Sequence, residues 1–599
     1  MSKPSGATPK MGSLGIMAWT LRQWWAVAAG LLILRLFFAV LRGLTICAMV
    51  WAAQHAIDSV MSSMGNEGSS GYVTPSVVAL GLVGFWGLLG YVDRAVYYRA
   101  HDRLDKYLDF KIIRKSSELD LVHVESAGRR NLLSKLHALS YMPCGLLDSV
   151  FEMIRLVVGV AGLCVLVLPI GWPAYALFGV ALSVGGIRMI RSARAFDPAK
   201  GKEYRRLYRS MHHFHEMLSG KQAAKEVRLF GLRRYFTEKY TDVYEKVHRQ
   251  GRIRLFDALL FAVPLGAALF FAFKVIEATV DRSVSLGLSL AGLSALALLF
   301  EQCSSSLARL AAMFKRAIEP ITAHEEFMRI EPSIVADPSL PGLPEDLSPG
   351  LELRNVSLTY PGGDSPAIDD VTLRIAPGER VALVGENGSG KTTFVKLLTR
   401  LYDPTAGTVM AAGKGIKDYS LDLYRRKFGV IFQDFMKYHA TAAENVAYAQ
   451  HERIDDIEGV KEALEKTGGG QVVERLADGV HTRLGAWFDD GADLSEGQWQ
   501  KIALARAFFR HADILVLDEP TSVLDARTEY EIFQRFLELT EGKTTILISH
   551  RFSTVRMADR IFVFDKGRVS ERGSHRELMD LDGQYARMFN MQASGYRIH

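Results

Sequence analysis

Cysteine is scarce in this 599-residue chain, and the four present, Cys47, Cys144, Cys164 and Cys303, all sit within or beside apolar runs. No CxxC or other ligand spacing joins them, which argues against a thiolate metal site, and the four read as small buried residues. Strong net charge is missing too: 72 Lys and Arg against 66 Asp and Glu leave +6. That modest excess sits mainly between the apolar runs, which argues for a membrane flank and against nucleic acid as the partner. No short apolar stretch with a small-residue cleavage site precedes the first long run, so a removable signal peptide is not expected. Proline is thin, at 19 residues, yet five of them fall within 331–350. Such a cluster disfavours helix and strand and marks an extended connector.

What is present divides at that connector. Before it, apolar windows long enough to cross ~30 Å of hydrocarbon occur near 24–50, 75–98, 146–168, 172–190, 256–278 and 286–308. Six spans place both termini on one side. The segments 61–74 and 169–173 hold no Lys or Arg and 279–285 holds only Arg282, whereas 101–135 holds eight and 191–254 holds seventeen. Positive residues stay inside, so both termini and both long loops are expected in the cytoplasm. The expected organisation is a short cytoplasmic segment at 1–23, a six-helix polytopic membrane domain at 24–330, a linker at 331–350 and a soluble α/β domain at 351–599.

The long cytoplasmic loops keep helical spacing: residues 102–121 continue the second span and 202–220 the fourth. Two matched extensions on one side read as stalks, with turns near 122–135 and 208–217 as contact points; the alternative is a solvated charged face. Charges inside the spans mark function by default. Arg35 and Arg42 share one face of the first span, Asp148, Glu152 and Arg155 one face of the third, and EQCSSSLAR closes the sixth. They line a polar pathway or form internal salt bridges such as Arg35 with Glu152.

After the connector, VALVGENGSGKTT sets an apolar run, then G-x-x-x-x-G-K-T, then a helical segment. This is the strand–loop–helix context in which Gly385, Gly388 and Gly390 turn backbone N–H groups toward phosphates. Asn387, Ser389 and Thr393 complete the nucleotide-binding set, Lys391 reaches the β- and γ-phosphates, and Thr392 supplies a hydroxyl to Mg²⁺. ILVLDE ends in Asp518 and Glu519, and TTILISH ends in His550. Because ligands gather at the carboxyl ends of parallel strands, Asp518 is expected to order the Mg²⁺ shell, Glu519 to polarise the attacking water and His550 to bond the γ-phosphate. Tyr360 is placed to stack on adenine. Gln433, at the end of GVIFQ, can touch Mg²⁺ or the water, or can be a surface glutamine.

In this order the motifs resemble an ATP-binding-cassette (ABC) exporter half-transporter over nearly the whole chain: Tyr360, GENGSGKT, Gln433, LSEGQ as signature, ILVLDE, SVLD (522–525) as D-loop, and His550. EVRLFG (226–231) is also similar to the exporter pattern. The resemblance implies the type IV ABC exporter fold and an ATPase driving alternating access. In that family the signature faces the ATP of the opposite subunit, which puts Ser495, Gly497 and Gln498, with Asp525 of the D-loop, in the nucleotide site of a head-to-tail pair; one chain with one of each part implies a homodimer.

Two departures stand out: Glu496 where the family usually has glycine, and GAWFDDGAD (485–493) with Asp489 or Asp490 in place of a glutamate. QDFMKYHATAAEN and the GQWQ after the signature resemble bacterial exporters of bacteriocins and lantibiotic-type peptides, implying a peptide cargo and the bacterial cell membrane. No peptidase domain is expected ahead of the spans. A lipid or multidrug exporter or flippase, an importer on the exporter scaffold, and an ATP-gated channel stay open as alternatives.

Overall fold

The computed structural model describes residues 11–63, 71–126, 132–133, 135–136, 139, 142–167, 183, 198–220, 223–249, 285–519, 540–549 and 551–596. The chain divides into two compact units, Met1–Glu118 with Arg130–Ile330, and Leu119–Arg129 with Glu331–His599.

The elements of the first unit, among its described residues, are all helices. It contains α1 (Ser13–Ser63), α2 (Val73–Glu118), α4 (Met142–Val167), α5 (Pro198–Ser219), α6 (Ala224–Leu229), α7 (Arg233–Arg249) and α8 (Leu286–Met328), while α3 (Leu121–Glu125) belongs to the second unit. The expected spans at 172–190 and 256–278 fall outside the described residues, Ser183 apart. Among the described residues, α1 and α2 are long and apolar enough to cross a membrane. The backbone of α1 leaves helical geometry at Ala28 (φ −146°, ψ 38°). Helix therefore begins at Ser13, well ahead of the first apolar window, because Ile16, Trp19 and Trp24 bury their side chains in the same core as Leu104, Leu108, Phe151 and Ile321. The Trp19 indole N–H donates to Glu325 Oε1 at 2.7 Å, giving that end of the chain a polar anchor. The two long extensions are helical, as α2 and α5; the turn expected near 208–217 is corrected, because α5 runs through it to Ser219, and α5 packs along α7 through Phe214 and Phe236.

The second unit is α/β. Among its described residues a four-stranded antiparallel sheet runs β2 (Ile368–Ile375), β1 (Leu351–Leu358), β4 (Ala406–Ala411), β5 (Lys414–Gly415). A six-stranded sheet runs β10 (Arg568–Gly573), β9 (Arg560–Asp565), β3 (Arg380–Gly385), β8 (Thr544–Ile548), β7 (Ile514–Asp518), β6 (Phe428–Ile431). From β9 to β6 the pairing is parallel. Both β7 and β8 are buried at every residue, as continuous Ile/Leu/Val/Thr runs covered on both faces require. Leu353, Val356, Phe394, Leu397, Val516 and Phe562 share one core, which ties the antiparallel sheet to the helix that follows β3. Residues 331–350 form neither helix nor strand.

Candidate functional site

The site is assembled at the carboxyl ends of β3 and β7. The loop after β3 closes tightly: a Cβ on Gly385 (φ 151°) would lie 2.2 Å from the Phe564 carbonyl oxygen, and one on Gly390 (φ 107°) 2.6 Å from that of Ala367. Only glycine fits such a turn. Asn387 and Gly388 are exposed at the loop tip, whereas Ser389 is buried. Gly390 caps α9 (Lys391–Leu398), whose first backbone N–H groups have no partner within the helix and form an anion-seeking positive end. Lys391 curls back into this loop, its Nζ donating to the carbonyls of Gly385 at 2.8 Å and Glu386 at 2.9 Å. Burial pushes its ammonium pKa down, with Glu519 and Asp518 pulling the other way.

The carboxylates sit beside it. Thr392 Oγ1 donates to Asp518 Oδ2 at 3.0 Å. Burial raises the Asp518 pKa while that hydrogen bond opposes the rise. A threonine hydroxyl against a buried carboxylate is an all-oxygen donor pair of the kind Mg²⁺ takes. Gln433 Nε2 donates to Glu519 Oε2 at 3.1 Å, so the glutamine, though exposed, is joined to the acid. Glu519 itself has φ 51° and its N–H bonds the Ile548 carbonyl at 3.0 Å. A non-glycine residue in that region costs on the order of 1–3 kcal/mol and is held by its surroundings. His550, two residues past the end of β8, and Asp525 lie outside the described residues.

Tyr360 does not stand alone. Its hydroxyl shares a 3.0 Å hydrogen bond with Thr393 Oγ1, its ring meets Tyr402 edge-on at 5.1 Å, and Lys396 Nζ lies 5.5 Å from both ring centres. Lys396 is on α9, directly behind the phosphate loop, and its Nζ donates to Glu125 Oε1 at 2.8 Å. Tyr402 donates to the other Glu125 oxygen at 2.5 Å. Burial pushes the Glu125 pKa up, but the bonds from Lys396 and Tyr402 outweigh it and hold the carboxyl below the ordinary 4.5. Burial and the Glu125 bond both push the Tyr402 phenol up. Glu125 closes α3, which is fixed by Asp120 accepting from the N–H groups of Ser333 and Ile334 at 2.5 and 2.9 Å. The expected contact turn at 122–135 thus has its first residues built into the ATP-binding unit. Nothing in the local pattern of DLVHVES or LTRLYD announces this Glu125–Lys396–Tyr402 cluster; only the fold brings it together.

Farther along, Ser495 caps α10 (Glu496–Phe509) in a reciprocal capping box: Gln498 N–H donates to Ser495 Oγ at 3.4 Å and Ser495 N–H to Gln498 Oε1 at 2.9 Å. This cap, worth ~1 kcal/mol to the helix, uses acceptor sites only. The Ser495 O–H and the Gln498 amide N–H remain donors, and Gly497 between them adds no side chain. The divergent segment before it is an ordered loop: Gly485 N–H bonds the Ala492 carbonyl at 2.8 Å and Arg483 pairs with Asp490 at 3.3 Å. Trp487 is 76% exposed, with its ring 5.8 Å from that of His439.

In the helical unit a cavity of about 260 Å³ opens between α1, α2 and α4, lined by Arg35, Arg42, Asp93, Asp148, Glu152 and Arg155 among others. Arg35 reaches Asp93 at 3.4 Å and Asp148 at 2.6 Å, and Arg42 reaches Asp93 at 3.1 Å. The pairing of Arg35 with Glu152 is corrected: Glu152 pairs with Arg309 of α8 at 2.9 Å. The partner Asp93 lies on α2, 58 residues from Arg35, where no face argument on a single span can reach it.

A phosphate-cradling loop, a paired Thr–Asp and a Gln–Glu at the strand ends, on an α/β unit fused to long apolar helices, define a P-loop ATP-binding transporter. Residues 32–302 match the ABC transporter transmembrane region family and residues 368–522 the ABC transporter family. A lipid A-core flippase of Alkalilimnicola ehrlichii is 32% identical over 71% of this chain and 71% of its own length. The subtilin transport ATP-binding protein SpaT of Bacillus subtilis is 29% identical over 92% of this chain and 90% of its own. The structure of a bacterial Atm1-family ABC exporter with ATP bound superposes with a TM-score of 0.68, covering 94% of this chain and 98% of that one at 24% identity. The chain belongs to the ABC transporter family: it is an exporter-type half-transporter, a membrane protein whose ATPase is coupled to transport.

Proposed function

We propose that two copies of this chain form a head-to-tail homodimer that hydrolyses ATP to move an amphipathic substrate, a peptide as the first reading, outward across the bacterial cell membrane. The observation that carries it is the convergence of Lys391, Thr392–Asp518 and Gln433–Glu519 at the ends of β3 and β7. Residues 24–330 act as a multi-pass membrane region with both termini cytoplasmic, 331–350 as connector and 351–599 as the ATP-binding region. Each ATP lies on the loop 385–393 of one copy, against Asn387, Gly388, Ser389 and Thr393, with Tyr360 at the base, and is completed by Ser495, Gly497, Gln498 and Asp525 of the other. Thr392, Asp518 and Gln433 would hold Mg²⁺, which supplies charge neutralisation on the phosphates.

The Glu519 carboxylate accepts a proton from the attacking water as the new O–P bond forms and the ADP oxygen leaves, with His550 steadying the γ-phosphate. Closure of the ATP-binding units passes to the helices through α3, whose Glu125 is tied to Lys396 directly behind the phosphate loop, and through residues 208–217 of α5. The cavity around Arg35 and Arg155 provides polar contacts along the pathway.

Peptide cargo is supported by the length over which the chain matches SpaT. Lipid cargo is the second reading, supported by the flippase relative. ATPase stimulation in lipid vesicles across peptides, lipids and drugs, followed by sided transport, separates them. Stimulation by peptides with outward movement upholds the first reading; stimulation by a lipid and by no peptide overturns it in favour of the second.

A further inference from the structure

Glu496 puts an anion where an anion is to be received. It is the first residue of α10, between the Ser495 and Gly497 proposed to meet the partner copy's ATP. A carboxylate suits a free helix start through the dipole, but beside a triphosphate it repels the ligand that start exists to hold. The fold supplies an answer that the sequence hides 59 residues upstream: Lys437 Nζ donates to Glu496 Oε2 at 2.5 Å. Lys437 lies on the turn that leaves Gln433, which itself bonds Glu519.

That turn does not depend on Lys437 for its place. Arg506, on the same helix α10, donates to the Met436 carbonyl at 3.1 and 3.2 Å and to the Asn445 carbonyl at 2.8 Å, with its guanidinium 4.7 Å from the Tyr438 ring centre. Both partners of the Lys437–Glu496 pair are well exposed, at 38% and 46%. An exposed pair contributes little to folding, so its consequence falls on what binds beside it.

We infer that Lys437 is a positioning residue for ATP binding: its ammonium neutralises Glu496, so that the Ser495 and Gln498 donors can take the γ-phosphate of the partner's nucleotide. The inference rests on the head-to-tail reading above. It follows that lysine and glutamate act as a unit, and that the glutamate is harmful without the lysine.

The test is a double-mutant cycle on the full-length transporter in vesicles, reading KM for ATP and kcat separately. Lys437→Met should raise KM about tenfold, the weight of one uncompensated charge in a partly screened site, with kcat little changed. Lys437→Arg should restore the native KM. In a Glu496→Gly background, Lys437→Met should produce no further rise. Equal rises in both backgrounds, or none in the native one, overturn the inference. A Ser495→Ala arm separates the two levels: a raised KM there with none for Lys437→Met sinks only this inference, whereas no effect of Ser495→Ala sinks the head-to-tail reading beneath it.

Discussion

Each unit of this transporter buries a cation near carboxylates, and the two hold it differently. In the ATP-binding unit Lys391 is held by the carbonyls of its own loop, and Asp518 and Glu519 are engaged by Thr392 and Gln433. The lysine is parked on neutral carbonyls of its own loop, contacts a ligand can displace without breaking an ion pair, and each acid accepts from a neutral side-chain donor. In the helical unit Arg35, 3% exposed, is shared between Asp93 and Asp148. There the charges are spent on one another and fasten α1 to α2 and α4. The first arrangement is poised for chemistry; the second holds a structure and lines a cavity at once.

That contrast breaks first at Glu519. Glu519→Gln should retain ATP binding and abolish steady-state hydrolysis, measured on the purified variant; undiminished turnover would remove the residue from its role. Next in size is Arg35→Ala, which leaves Asp93 and Asp148 without their shared partner inside the helical unit. Truncating one member of a buried pair costs about 3 kcal/mol or more, so thermal unfolding in detergent should shift down clearly. Asp148→Asn should shift it less, because that side chain is 36% exposed and screened by solvent.

A smaller effect is expected at Glu125. Glu125→Gln should lower substrate-stimulated ATPase by about a factor of three, the scale of a partly exposed charged pair, while basal hydrolysis persists. The sign with pH follows from its depressed pKa. The Glu125–Lys396 tie is fully present above the ordinary 4.5 and is lost only as pH falls through the lower folded value. Coupling should therefore be flat from neutral pH down to about that point, and a loss of coupling between pH 7 and 6 would contradict the assignment.

Legibility in the sequence follows the same divide. The phosphate loop and the strand ends carrying Asp518 and Glu519 are contiguous motifs with fixed local geometry, so their residue types reveal them directly. Gln433 carries a surface glutamine as its alternative reading in the sequence, and the parallel pairing of β6 with β7 brings it beside Glu519. The Arg35 partners were misjudged because pairing across helices depends on rotation and tilt, which the faces of single spans do not encode. Lys437 and the Glu125 cluster were invisible for a further reason: single charged residues on turns look like solvated surface until the fold supplies a partner.

The central claim is that each ATP is completed by two chains, and a linked dimer tests it most directly. One version carries Lys391→Ala in one copy and Ser495→Arg in the other; the second carries both substitutions in the same copy. The head-to-tail site expects ATPase activity in the first, where one whole site survives, and none in the second. Activity in the second with none in the first would contradict the account.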